Sequence, residues 1–252
     1  MSDLSLIYPR WEAPDSVLAF VTTRNGGVSQ APYGSLNLAD HVGDNEGAVA
    51  SNRLRLREAF PWINEWQWLY QVHGNRVIEI RRETNPLEAD AVITREAGVA
   101  LSILTADCLP LLLAAEDGSE VAVVHCGWRG LAAGIVANTV KAMNTPPKAI
   151  LAWMGPAIGP CHFKVGKDVH GALSAVLSSD ALSSAIVPTA GGKFMANLYK
   201  IGSALLQEQG VVQISREELC TSCDQQRFFS YRISPTCGRL ASTICIRSKP
   251  SA

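Results

Sequence analysis

The hydrophobic positions along this chain fall into two patterns that predict different elements. "VALSILTADCLPLLLAA" (99–115) and "EVAVVHC" (120–126) are dense apolar runs that read as buried strands. They bracket "EDGS", whose Asp117-Gly118 is a strong hairpin signal. "LAFVTTRNGGVS" (18–29) is a strand running into an Asn-Gly-Gly turn, where a positive φ comes at low steric cost. "WQWLYQVHGNRVIEI" (66–80) predicts two strands broken at His73-Gly74-Asn75. Elsewhere the spacing is helical. "NEGAVASNRLRLREAF" places Val49, Leu54 (or Arg53) and Leu56 on one face and ends before Pro61. "RGLAAGIVANTVKAM" opens a helix directly after the second apolar run. "ANLYKIGSALLQEQG" is the clearest amphipathic helix, with Asn197 as N-cap and Gly210 at its C-terminus. Strands and helices mix around a central antiparallel hairpin, with no repeat, low-complexity tract or linker. The expectation is one domain over residues 1–252 with a layered α+β fold rather than regular βαβ alternation.

Composition narrows the classes of function. The chain has 252 residues, enough for a full core, with 47% hydrophobic and 18% charged residues. A net charge of −1 gives no electrostatic footprint for nucleic acid or an anionic membrane, so neither is expected as a partner. Asp107 and Pro110 interrupt the longest apolar run, which argues against a membrane span. The opening residues "MSDLSLIYPRWEAPDSV" lack the basic and apolar regions of a secretory leader, and the seven cysteines form an odd set. A reducing cytoplasm is therefore the expected location, with cysteines serving as core thiols, metal ligands or nucleophiles rather than disulfides.

The hairpin brings chemistry together. With Asp117-Gly118 as a two-residue turn, cross-strand partners sum to 235, so Cys108 faces Gly127 and His125 faces Pro110. Side chains alternate along a strand with period two, so Cys108 and His125 share a face as a diagonal pair. A one-residue change of turn length would separate them. His73, at a strand end before Gly74, is the natural third member. One Cys and two His with an open fourth position is a catalytic zinc arrangement, and zinc there would bring the pKa of water toward neutrality. Asp107 would orient an imidazole or carry a proton, provided the strand is bulged there. Two other readings of the same residues stand beside this one: unrelated core residues, and a Cys108–His125 nucleophile pair without metal.

Past His125 the chain passes Gly127-Trp128-Arg129-Gly130 into a helix, a setting for an anion site, with Arg129 as a forked donor and Trp128 as core or stacking surface. Arg24 stands in a similar setting before two glycines. Cys220 and Cys223 form a C-x-x-C, but the following Cys237 and Cys245 have the wrong spacing for a zinc ribbon, so no second metal site is expected there.

Together "TTRNGGVS" (22–29), "SLNLADHVGD" (35–44), "QVHG" (71–74), "ADAVIT" (89–94), "TADCLPLLL" (105–113), "HCGWRGLAAG" (125–134), "GPAIGP" (155–160) and "FFSYR" (228–232) resemble the laccase-domain family of YfiH-like proteins. Its members are described variously as polyphenol oxidases, purine nucleoside phosphorylases and peptidoglycan editing factors. The resemblance spans nearly the whole chain. It implies a layered α/β sandwich with mixed β-sheets, related to the cysteine-hydrolase fold of the cytotoxic necrotizing factors. It implies a zinc held by His73, Cys108 and His125, roles for Arg24 and Arg129, and a substrate contact from Asn37. The chain departs from the family pattern at Cys126, Ile233, Cys237 and Cys245.

Four functions follow as expectations. The first is a zinc-dependent purine nucleoside phosphorylase acting on adenosine, inosine and methylthioadenosine, with adenosine deaminase activity. Its partners would be small molecules, purine nucleoside and phosphate, and no obligate protein partner is evident. The second is a hydrolase removing misincorporated L-serine from nucleotide-linked muropeptide precursors. The third is a copper polyphenol oxidase, which a multicopper cluster's need for more imidazoles than the chain's five histidines, and the absence of His-x-His pairs, argue against. The fourth is a binding module whose zinc is structural, which would need a fourth protein ligand, with Asp107 the near candidate.

Overall fold

A computed structural model describes residues 4–81 and 87–248. Two six-stranded mixed sheets form its centre. The first runs in the order β1 (Leu6–Ile7), β2 (Val17–Thr22), β15 (Leu240–Ile246), β7 (Val99–Thr105), β3 (Glu65–Tyr70), β5 (Leu87–Glu88). The second runs β14 (Gln213–Arg216), β10 (Ile150–Met154), β8 (Leu109–Ala115), β9 (Val121–Cys126), β6 (Ala91–Thr94), β4 (Val77–Ile80). A small antiparallel sheet, β11 (Lys164–Val165), β13 (Lys193–Ala196) and β12 (Ile186–Thr189), lies apart from them in hydrogen bonding. The helices are α1 (Glu46–Ala59), α2 (Trp128–Ala132), α3 (Ile135–Ala142), α4 (Lys167–Ser174), α5 (Ser179–Ala185) and α6 (Leu198–Glu208).

Strand alternation sorts the apolar residues into three cores. Val17, Ala19 and Val21 of β2 join Val99, Leu101 and Ile103 of β7 and Leu112, Ala114, Val121 and Val123 of the hairpin in a core between the two sheets. Leu18 and Phe20 point the other way, against Leu56 of α1 and the Trp66 and Trp68 rings. Leu111, Leu113, Ala122, Val124 and Cys126 face Leu131, Ile135, Val140, Leu198 and Leu205 of the helices. The result is a helix–sheet–sheet–helix sandwich. This is the layered mixed-sheet fold expected, and it explains the dense apolar runs: these central strands are buried on both faces.

The hairpin register is Leu109↔Cys126 and Pro110↔His125, which gives the sum of 235 that the Asp117-Gly118 turn requires. Asn197 caps α6 by accepting from the Lys200 N–H at 3.1 Å, and Gly210 follows at φ +85°. Two expectations need correction. The run 99–115 is two strands in different sheets, because Asp107 takes φ +88° and turns the chain across the sandwich. The helix after β9 is also two helices, divided where Gly134 takes φ +86°. No helix among the described residues is long and apolar enough to cross a membrane.

Candidate metal centre

Two chain crossings between the sheets build the site. Parallel strands β3 and β7 pair through Glu65↔Val99 to Trp68↔Ser102, so both leave the first sheet at the same end. The chain then passes through residues 71–76 to β4, and through 106–108 to β8, both in the second sheet. The Gln71 amide ties the crossings together, donating to the Leu104 carbonyl at 2.9 Å and accepting from the Leu104 N–H at 2.7 Å. His73, at φ +59°, stands on the first crossing, Cys108 ends the second, and His125 closes β9 beside them.

Their donor atoms lie within 4.8 Å of one another. Cys108 Sγ is 3.9 Å from His73 Nε2, and the two imidazole rings meet edge to face with centroids 4.7 Å apart. His73 is exposed, Cys108 half-buried and His125 buried, so the group opens outward on the His73 side. Gly127 floors it: a Cβ there would come within 3.0 Å of His73 Cδ2 and 3.3 Å of Cys108 Sγ. The space between the donors exists because residue 127 has no side chain.

Asp90 organises the centre. It is fully buried and accepts from His125 Nδ1 at 2.8 Å. The same carboxylate accepts the backbone N–H groups of His73 at 2.9 Å, Gly74 at 2.7 Å and Val72 at 3.3 Å. Burial alone would raise its pKa, but the hydrogen bonds from His125 and the 72–74 backbone hold it below the usual carboxylate range. Burial would likewise push the Cys108 thiol up; the charge and hydrogen bond of His125, helped by His73, outweigh this and bring it down to about 6. Burial would push His125 down, but Cys108 and Asp90 raise it to about 9. Both shifts favour the thiolate–imidazolium form of the Cys108–His125 pair in the absence of metal. Cys126, on the opposite face of β9, sits in the apolar helix-side core, where burial pushes its thiol well above the ordinary range.

The structure brings His73, Cys108 and His125 together and disposes of the other singled-out residues differently. Asp107 does not face an imidazole: its carboxylate accepts from Thr221 Oγ1 and from the Arg232 N–H, each at 2.6 Å. The positive φ that interrupts the strand turns its side chain toward the 219–232 segment, so the imidazole partner is Asp90 instead. Asn37, expected as a substrate contact, lies inside the fold. It is fully buried, donates to Ala39 O and Asp44 Oδ2, and accepts from the N–H groups of Ala39 and Arg239. Arg129 is exposed, four residues past His125, with its guanidinium 4.4 Å over the half-buried Trp128 ring. Arg24 donates to the carbonyls of Gly34 and Gln225 and lies 4.7 Å over Phe229. Sequence reasoning missed Asp90. Its one signal was a lone acid in the apolar stretch "ADAVIT", which an extended strand buried on both faces does not tolerate unpaired.

A two-sheet sandwich with a Cys–His cluster at a chain crossing defines a class of protein, and the sequence relationships name it. Residues 18–247 match the family described as multi-copper polyphenol oxidoreductase laccase, and the chain belongs to that family. It is 44% identical over 243 residues to a Haemophilus influenzae protein named purine nucleoside phosphorylase, covering 96% of this chain and 99% of that one. It is 44% identical to purine nucleoside phosphorylase YfiH of Escherichia coli, covering 95% and 98%. Among solved structures, a Neisseria meningitidis protein of the DUF152 family superposes with a TM-score of 0.90 at 38% identity, covering 96% of this chain and 99% of that chain. YlmD of Geobacillus stearothermophilus superposes with a TM-score of 0.88 at 34% identity, covering 93% of each.

Proposed function

We propose that this protein is a purine nucleoside phosphorylase whose metal, zinc, is held by His73, Cys108 and His125. The observation that carries the reading is the three-donor group itself: one thiolate and two imidazoles, with a bare glycine between them and one side open. The donor chemistry fits zinc. Tetrahedral zinc with bonds of about 2.0–2.3 Å separates its donors by roughly 3.3–3.8 Å, near the 3.9 Å between Cys108 Sγ and His73 Nε2. Three protein ligands and an open position are the catalytic pattern. A multinuclear copper centre fits less well, because the remaining histidines are engaged elsewhere. His41 lies beside Asp40, His170 stacks on Phe194, and His162 neighbours Cys161, Cys220 and Cys223. Relatives at 44% identity over nearly the full length carry the phosphorylase name.

Zinc bound there supplies Lewis acidity toward a substrate oxygen and acidifies water, which also suits deamination of adenosine. The chain's own groups do the rest. Asp90 holds His125 with Nδ1 protonated, so that Nε2 is the free ligand atom. Arg129, exposed one turn beyond His125, is the group suited to a phosphate oxygen, with Arg24 as a second anion-binding candidate. Asp107 acts through position, bracing the turn that presents Cys108.

Purified protein incubated with adenosine, inosine or methylthioadenosine tests this by chromatography, with and without phosphate. Phosphate-dependent release of free base together with ribose 1-phosphate (5-methylthioribose 1-phosphate from methylthioadenosine), abolished by chelation and by His125→Ala, is expected. Copper rather than zinc on the three donors, with oxidation of phenols and no base release, overturns it. A second reading has an observation of its own. The Cys108–His125–Asp90 series is also the layout of a cysteine nucleophile, its base and an orienting acid. Activity that survives chelation but is lost on thiol alkylation selects that reading.

A further inference from the structure

A second group of metal-ligating side chains lies on the 155–164 and 217–224 segments. Cys161, His162, Cys220 and Cys223 place one donor atom each within 4.8 Å of one another. Five of the six separations lie between 3.2 and 3.8 Å, close to the donor–donor edges of a tetrahedral metal site. Cys161 Sγ is 3.7 Å from Cys220 Sγ and 3.4 Å from Cys223 Sγ. His162 Nδ1 is 3.2, 3.8 and 3.4 Å from the sulfurs of Cys161, Cys220 and Cys223. A zinc ion with bonds of about 2.3 Å to sulfur and 2.0–2.1 Å to nitrogen separates its donors by roughly 3.5–3.8 Å.

The surroundings support a ligand at this point. A Cβ at Gly159 would meet Cys220 Cβ at 3.0 Å, Cys220 Sγ at 3.2 Å and Cys161 Sγ at 3.3 Å, so the sulfurs converge over a residue that has no side chain. The Gly159 N–H points at Cys220 Sγ at 3.1 Å, a donor aimed at a sulfur that carries charge as a metal thiolate. The backbone is already zipped around the group. Ala157 and Cys220 pair as a bridge, and the Cys223 and Asp224 N–H groups fold back on the Cys220 carbonyl. All four side chains are half-buried or exposed, within reach of metal from solution.

We propose that Cys161, His162, Cys220 and Cys223 form a second metal site that binds zinc with four protein ligands and serves a structural role. A closed Cys3His set leaves no position for substrate, which distinguishes it from the open centre at Cys108. What it would hold is specific. Thr221, inside the C-x-x-C, donates to Asp107, and the Asp107 carbonyl accepts the Ile158 N–H at 2.9 Å. Arg232 donates to the His162 carbonyl from its guanidinium and to Asp107 from its backbone. Zinc here clamps together the two segments that brace the turn before Cys108.

Elemental analysis of the full chain, purified with reductant from zinc-supplemented cells, tests this. Two zinc per chain are expected, falling to one in Cys220→Ser/Cys223→Ser and also to one in Cys108→Ser/His125→Ala. The second pair keeps a failed phosphorylase reading separate from a failed second site. Because the first double variant could misfold, cobalt(II) is also titrated into the metal-free Cys108→Ser/His125→Ala protein. One equivalent should give the intense visible absorption of tetrahedral thiolate-rich cobalt. The proposal is overturned by one zinc in wild type that Cys220→Ser/Cys223→Ser retains, by no thiolate–cobalt absorption, or by a disulfide among these cysteines in the reduced preparation.

Discussion

An ionised carboxylate can only accept hydrogen bonds, so Asp90 fixes the proton of His125 on Nδ1 and leaves Nε2 facing Cys108. Through the N–H groups of residues 72–74 it also sets the loop that carries His73, so a single acid orients two of the three donors. Asp90→Asn keeps the size but can turn an NH2 toward groups that need an acceptor. It is expected to weaken zinc binding by about 10–100-fold, measured by chelator competition, with the fold retained by circular dichroism. The pair of shifted groups gives a second expectation. Metal ligation needs the Cys108 thiolate, already present above about 6, and a neutral His125, present only above about 9. Between these limits binding expels one proton, so affinity should rise about tenfold per pH unit and level off above about 9. Below about 6 the Cys108 proton must leave as well, and the slope should steepen. Affinity independent of pH across this window would mean that His125 is neutral in the metal-free protein. Cys108 and His125 were legible as a pair because turn chemistry at Asp117-Gly118 determines register. Asp90 was not, because its hydrogen bonds come from groups gathered by a crossing that no local pattern encodes.

At the scale of elements, the centre depends on two short connections staying in register with each other. Gln71 performs this by bonding both polar groups of the Leu104 backbone, from the crossing after β3 to the end of β7. Gln71→Ala leaves those groups without protein partners near the end of a buried strand. A loss of about 1–3 kcal/mol in denaturant unfolding is expected, accompanied by weaker metal binding because His73 is two residues away. The β9–α2 junction is constrained from the other direction. Gly127→Ala inserts a methyl group 3.0 Å from the His73 ring and should displace that ring rather than the sheet. Zinc affinity should therefore fall while the unfolding midpoint of the metal-free protein hardly moves. The existence of these elements was legible, since the apolar runs, the α6 caps and the break at His73 follow from period and turn chemistry. Their partition between sheets was not. Strands on either side of Asp107 are equally apolar because both sheets are buried on two faces, so composition marks no boundary where the chain changes layer. Likewise the groups that meet the Cys220-x-x-Cys223 pair lie upstream, with Cys161 62 positions from Cys223, so the wrong spacing of the downstream cysteines said nothing about them.

For the whole molecule, the centre at Cys108 sits where both sheets are joined by chain crossings, so a metal there links the two halves of the sandwich. The second cluster joins the 155–164 and 217–224 segments, which brace the same turn from outside. A ligand that binds only the folded state stabilises it by RT ln(1 + [L]/Kd), about 2.7 kcal/mol at a hundredfold excess over Kd. For a chain of this size each kcal/mol corresponds to roughly 2–4 °C in midpoint, so each zinc is worth several degrees under those conditions. Thermal unfolding followed at fixed free zinc should then show a midpoint that falls on chelation in wild type. The fall should be smaller in Cys108→Ser/His125→Ala, and smaller again in a chain that also carries Cys220→Ser/Cys223→Ser. The two increments should add, because the donor sets share no residue. If instead either double variant alone abolishes the whole response, the two clusters are not separate sites, and the turn at Asp107 couples them tightly enough that one metal assembles both.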